Sequence, residues 1–190
     1  MIATAPSEVL APIEEQASKP FTLEDFIENP PQDMEWVDGE LVEKIGMSAK
    51  HSVVQGNLVT QWNIYSTAHD PGGKAATELA CRTLKQGRRP DVSYLPPNLY
   101  SEVIELNAAS QSPPLIAEIA SPTDYAEELF AKAIEYLESG CEEIWLVFPE
   151  AKLIMVKTIE QPWQVYSSGQ TITTQKVLVG FSIAIDQLFA

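Results

Sequence analysis

Basic residues are scarce in this chain. Twelve lysines and arginines stand against 27 acids, a formal net charge of −15. A general nucleic-acid binder needs a cationic face, because neutralising phosphate drives its affinity, so the bulk charge speaks against tight nonspecific binding. Cysteine is nearly absent too, with Cys81 and Cys141 the two present. That excludes a disulfide framework or a thiolate zinc site and points to a reducing, cytoplasmic setting. No run of about 18 apolar residues occurs, so no membrane-spanning helix is expected. The start of the chain has no basic stretch leading into an apolar one, so no secretory signal is expected.

What is present suffices for a core: 190 residues, 45% of them hydrophobic, fit one domain of ordinary size. The shortage of base is also uneven. Eight of the 27 acids fall in the first 35 residues against Lys19 alone. From Lys74 to Arg89 the balance reverses, with Lys74, Arg82, Lys85, Arg88 and Arg89 against Glu78.

Residues 1–20 are rich in Pro, Ser, Ala and Glu without a period, which predicts a mobile tail ahead of a single domain over 21–190. Thr22 to Asn29 reads as a short helix, capped by Thr22 with Asp25 and stopped by Pro30-Pro31. Met34 to Ile45 reads as a hairpin turning at Asp38-Gly39. Ala49 to Ala68 carries Val53, Val54, Leu58, Trp62 and Tyr65 near a 3.6 period, a helix closed by Asp70-Pro71-Gly72-Gly73. Strands are expected over Ala75–Leu84 and Asp91–Leu95, and a polar connection, with or without one helical turn, follows from Pro96 to Pro114.

Leu115 to Ala120 is an almost continuous apolar run, as in a strand covered on both faces. Ser121-Pro122-Thr123-Asp124 has the residues of a helix start, and Gly140 is placed to end that helix near Ser139. Strands over Glu143–Phe148 and Lys152–Ile159 come next, then antiparallel structure through Trp163–Tyr166 and Thr171–Leu178. A helix joining two buried strands should be a right-handed parallel crossover. The fold class expected is mixed α/β (α+β): a mixed sheet flanked by helices, with antiparallel hairpins at both ends.

Two acids stand out. Glu118 lies among Leu115, Ile116, Ala117 and Ile119, where an unpartnered carboxylate is costly. Asp91 heads the apolar run Val92-Ser93-Tyr94-Leu95. Delivered by neighbouring strands, the two would suit a hard cation such as Mg²⁺, which takes few carboxylates and keeps waters. Read structurally, Asp91 is a strand-entry residue after Arg-Pro, and Glu118 implies some cation nearby, protein-borne or metal. Arg88 and Arg89 either pair with phosphate oxygens or offset the acids.

The order RPDVSYL, LIAEIASP, a helix carrying KAIEY, then ESGCEEIWLVFPEAKLIMV, preceded by MEWVDGELVEKIGMSAKHSVVQGNL, resembles the PD-(D/E)XK nuclease superfamily. More narrowly it resembles the Uma-type family of bacterial restriction-endonuclease-like proteins, from about Thr22 onward. The resemblance implies a restriction-endonuclease-like core and a metal-dependent endonuclease that hydrolyses DNA phosphodiester bonds. By position, Asp91 and Glu118 would be the metal-holding acids, with Mg²⁺ or Mn²⁺ as cofactor. The superfamily's usual lysine place, two residues after the second acid, holds Ala120 here. The resemblance then gives that part to Lys132, from the helix. On its own spacing Lys132 also suits a surface pair with Glu128.

Glu40, just past the hairpin turn, resembles an additional metal-side acid and could equally be a surface residue. His51 matches a recurrent family position, though a lone histidine there is more often a cap or packing residue than a catalytic one. A homodimer is implied, since cutting both strands favours paired subunits. The other reading is an inactive relative, with Ala120 marking lost catalysis and the acidic surface selecting protein partners. A phosphohydrolase acting on nucleotides is a third.

Overall fold

The computed structural model describes residues 19–44, 47–70 and 72–190, so the tail expected over 1–20 lies almost wholly outside the described residues. Thr22 begins helix α1 (Leu23–Glu28) with the reciprocal cap its sequence predicts, its side chain accepting from Asp25 N while Asp25 accepts from Thr22 N. Strands β1 (Met34–Val37) and β2 (Glu40–Glu43) form the hairpin, and Asp38 and Gly39 take the left-handed φ values of 51° and 94° that such a tight turn needs. Ser48 caps helix α2 (Ala49–His69), whose buried line includes Val54, Leu58 and Trp62.

The strand expected over Ala75–Leu84 is broken. β3 (Lys74–Thr77) pairs with β6 (Val92–Leu95) in the main sheet, whereas β4 (Cys81–Arg82) and β5 (Gly87–Arg88) join the N-terminal hairpin. The break falls at Glu78, whose φ of 52° is left-handed and cannot continue a strand. Its side chain is held there by Lys44 and Gln55. The polar connection contains helix α3 (Pro97–Val103) and leads to β7 (Leu115–Ile119).

Helix α4 (Ala126–Glu138) starts later than Ser121-Pro122 suggests. Asp124 folds back onto Ser121 N and Oγ, closing a separate turn ahead of the helix. Gly140 then ends the helix with φ 108°. β8 (Glu143–Phe148) lies parallel to β7, with Glu118 opposite Leu146, and β9 (Leu153–Thr158) and β10 (Gln164–Ser167) continue antiparallel. The strand expected over Thr171–Leu178 is cut to β11 (Thr171–Thr173). It pairs with β12 (Ser182–Ala184), and the short helix α5 (Ile185–Leu188) follows. Thr174 Oγ1 donates to Leu178 O and turns the chain at that point.

The main sheet therefore runs β10-β9-β8-β7-β6-β3, beside a four-stranded sheet β2-β1-β5-β4. Alternation along β7 and β8 feeds two cores. Leu115, Ala117, Trp145 and Val147 meet α2, whereas Ile116, Ile144 and Leu146 meet α4 through Leu129, Ala133 and Leu137. Trp62 of α2 meets Trp145 edge-on at 5.6 Å between centroids, both fully buried. Truncating a tryptophan so placed typically costs about 3–5 kcal/mol. Among the described residues no helix is long and apolar enough to cross a membrane.

Candidate active site

Glu118 belongs to the α4 side of β7, because it shares its face with Ile116. β6 and β7 run antiparallel with Val92 opposite Ala117, so one step further along the ladder sets Asp91 against Glu118. Asp91 is fastened to this neighbour directly: Ile119 N donates to its Oδ2 at 2.6 Å. Both carboxylates are nearly sealed, Asp91 at 2% and Glu118 at 3% exposure. Both nonetheless line a cavity of about 620 Å³ bounded by the N-terminal hairpin, the start of α2 and the first half of α4.

Lys132 reaches the same place from α4. Its Nζ lies 3.3 Å from Glu118 Oε1 and 2.9 Å from Glu35 Oε1, and it makes no pair with Glu128. Burial disfavours the Lys132 ammonium, but the carboxylates of Glu118, Glu35 and Asp91 outweigh it and hold the proton more firmly than on an ordinary lysine. Glu118 moves the other way from an ordinary carboxyl. Burial, helped by the nearby Asp91 charge and opposed by Lys132, raises it to about 7. Glu118 Oε1 is also a buried oxygen with no hydrogen-bond partner, unusual for a carboxylate so placed.

Asp91 is the opposite case. Lys44 Nζ meets its Oδ1 at 2.6 Å, and His51 Nε2 meets its Oδ2 at 3.1 Å. Burial works against its charge, but the His51 hydrogen bond and the Lys44 ammonium hold the carboxyl well below the usual range. His51 in turn is raised: burial pulls it down, and the bond to Asp91 overcomes this. Around this pair Gln55 Nε2 donates to Glu78 Oε1 and to Asp91 O.

The two arginines have different neighbours from those a phosphate clamp needs. Arg88 bridges Glu35 and Glu135, with contacts at 3.1 and 2.6 Å, and Thr83 Oγ1 adds a bond to Glu135. Arg89 donates to the carbonyls of Met34, Glu78, Pro30 and Pro31, so it ties the hairpin entry to the strand break at Glu78. Glu40 is exposed at the turn end of the hairpin and is absent from the cavity wall. On the hairpin it is Glu35, opposite Val42, that meets Lys132.

Asp91, Glu118, Lys132, His51 and Arg88 are thus brought to one cavity, while Glu40 and Arg89 are not. Sequence reasoning missed Glu35, Lys44, Glu78, Gln55 and Glu135. A signal existed for Glu35, an acid alternating with Val37 on a strand whose other face carries Trp36.

Two carboxylates facing one cavity, one with a buried oxygen that accepts no hydrogen bond, have the donor chemistry for a hard divalent cation such as Mg²⁺ or Mn²⁺. Among the described residues no three or more His, Cys, Asp or Glu side chains are grouped to hold an ion. The fit is therefore to a water-rich site on two carboxylates, not to a closed protein cage.

Residues 21–186 match the family Uma2, described as "Putative restriction endonuclease". No curated protein matches the chain. A crystal structure from Anabaena variabilis, described as "a putative nuclease belonging to DUF820", is similar with a TM-score of 0.78 and 22% identity, over 90% of this chain and 98% of that one. At that identity the likeness shows the fold.

Proposed function

The chain belongs to the Uma2 family, matched over residues 21–186, and from that premise we propose that it is a divalent-metal-dependent endonuclease hydrolysing DNA phosphodiester bonds at the Asp91–Glu118–Lys132 cavity. One observation carries the reading: Lys132 Nζ stands 3.3 Å from Glu118 Oε1, on the strand that neighbours Asp91.

Asp91 and Glu118 would hold the ion, Mg²⁺ or Mn²⁺. Bound there, such an ion supplies Lewis acidity toward a phosphate oxygen and lowers the pKa of bound water. The chain's own residues do the rest. Lys132, kept as an ammonium by the acids around it, faces the negative charge that builds on the phosphoryl oxygens during attack. Its firm hold on that proton fits it for electrostatic stabilisation and not for taking a proton from water. Glu35 orients the ammonium, and Arg88 with Glu135 fixes Glu35. His51 and Ile119 N hold Asp91 Oδ2 and so direct Oδ1. A homodimer would place two such sites on the two strands of a duplex, and sedimentation of the purified chain measures it.

A second reading, an inactive nuclease fold used as an interaction module, draws support from charge. The cavity wall carries Asp38, Glu43, Asp124 and Glu128, while Lys44, Arg88 and Lys132 are all engaged in ion pairs. Calorimetric titration with Mg²⁺ and Mn²⁺, together with plasmid cleavage by wild type and Asp91→Ala, separates the two. The nuclease reading expects ion binding and nicking that Asp91→Ala abolishes. Plasmid left intact by wild type at every ion concentration leaves the module reading.

A further inference from the structure

Asp91 already has a cation. Lys44, at the end of the N-terminal hairpin, sends its ammonium to three acceptors: Asp91 Oδ1 at 2.6 Å, Glu78 Oε2 at 2.5 Å and Arg89 O at 2.8 Å. Three bonds use the full donor set of a lysine. Asp91 Oδ2 is taken by Ile119 N and His51, so Lys44 sits on the oxygen that is otherwise free to accept an ion. Glu118, the other acid, has no donor on Oε1. The two acids of one site are thus unequal: Asp91 is hydrogen-bonded by the protein on both oxygens, whereas Glu118 faces Lys132 at 3.3 Å with no hydrogen bond on Oε1.

Lys44 also has somewhere to go. Glu78 is the more open of its two acidic partners, 28% exposed at the side chain against 3% for Asp91. Glu78 is held in place by Gln55 and by a left-handed backbone that a glutamate adopts only when its surroundings fix it. A side chain with four rotatable bonds can leave Asp91 and keep Glu78.

We propose that Lys44 is a built-in stand-in for the divalent ion: its ammonium neutralises Asp91 in the ion-free protein and must be displaced toward Glu78 for an ion to join Asp91 and Glu118. This rests on the reading of those two acids as the ion's ligands. Two consequences follow from charge alone. The ion-free site stays assembled without collapse of its acids, and ion affinity is set lower than two bare carboxylates would give, since a like charge must first be moved.

The test needs no cleavage assay. Mn²⁺ and Mg²⁺ are titrated calorimetrically into the full chain, as wild type, Lys44→Gln and Lys44→Arg. Lys44→Gln is expected to bind at least about tenfold more tightly than wild type, a difference of about 1.4 kcal/mol, while Lys44→Arg stays near wild type because it keeps the charge. A parallel measurement uses wild type alone and does not depend on the variants folding. Labelling of Lys44 by an amine-modifying reagent, followed by peptide mass spectrometry, should rise when Mn²⁺ saturates the protein. Equal or weaker binding by Lys44→Gln, or labelling unchanged by saturating ion, overturns the proposal and leaves the ion site standing. Absence of ion binding by every form, Lys44→Gln included, overturns both.

Discussion

Lys132 and Glu118 face each other at 3.3 Å from different elements, a helix and the strand beneath it, and both are largely closed to solvent. The contact is a charged one without a formal hydrogen bond on Glu118 Oε1. Glu35 takes the closer bond from the same ammonium at 2.9 Å. The lysine is therefore anchored by one acid and aimed at another, which leaves Glu118 an oxygen to offer to something else.

If Lys132 acts through its charge, Lys132→Met should lower the cleavage rate constant by about 10²–10³-fold, the usual cost of losing one electrostatic stabiliser. Lys132→Arg should recover part of it. Single-turnover cleavage of supercoiled plasmid at saturating Mg²⁺ reads this, and circular dichroism checks folding. An unchanged rate in Lys132→Met would remove the residue from the site.

Arg88 is expected to behave as a structural tie. Its side chain is 14% exposed and joins Glu35 to Glu135, so Arg88→Met would leave Glu35 to Lys132 and Arg89 N and would take from Glu135 its charged partner. A loss of about 1–3 kcal/mol in urea unfolding is expected. The salt dependence of DNA binding should keep its slope, whereas a residue that contacts phosphate would reduce it.

The raised Glu118 carboxyl gives a pH dependence of stated sign. The folded chain holds that proton up to about pH 7, whereas an unfolded glutamate releases it near about 4.3. Ionising Glu118 therefore favours the unfolded chain progressively between those values, and the cost is complete above about 7. In ion-free protein Glu118→Gln should be more stable than wild type by about 4 kcal/mol at pH 8 and nearly equal at pH 4. Below about 7, ion binding to wild type should also expel a proton, seen as a dependence of the calorimetric heat on the buffer's ionisation enthalpy. A stability gap that is the same at both pH values contradicts the assignment.

Glu40→Gln should leave ion affinity and cleavage within about twofold of wild type, because its carboxylate is exposed and lies outside the cavity wall. Glu35→Gln should not, since Glu35 holds Lys132 and Arg88 at once. Comparing the two variants in one ion titration and one cleavage assay decides which hairpin acid belongs to the site.

Much of this was legible along the chain wherever a local rule governs. Thr22 with Asp25, Asp38-Gly39, Gly140 and the apolar run around Glu118 each predict what they form. Local rules fail where a distant partner takes over. Ser121-Pro122 has the residues of a helix start, but Asp124 turns back on Ser121 and delays the helix. The Ala75–Leu84 strand breaks because Glu78 is claimed by Lys44, 34 residues away. Asp91 and Glu118 could be picked out because an acid in or beside an apolar strand is anomalous in its own neighbourhood. Lys132 could not: i,i+4 spacing pairs it equally well with Glu128, and only the motif order singles it out. Lys44 carries no local signal, since its position 47 residues from Asp91 becomes meaningful only once the hairpin folds over the sheet.

The most direct test is plasmid cleavage by wild type and by Glu118→Gln, side by side in Mg²⁺ and in chelator. The account predicts cleavage by wild type with Mg²⁺, none in chelator, and a loss of at least about 10²-fold in Glu118→Gln. Cleavage by Glu118→Gln at the wild-type rate, or by wild type in chelator, would contradict it.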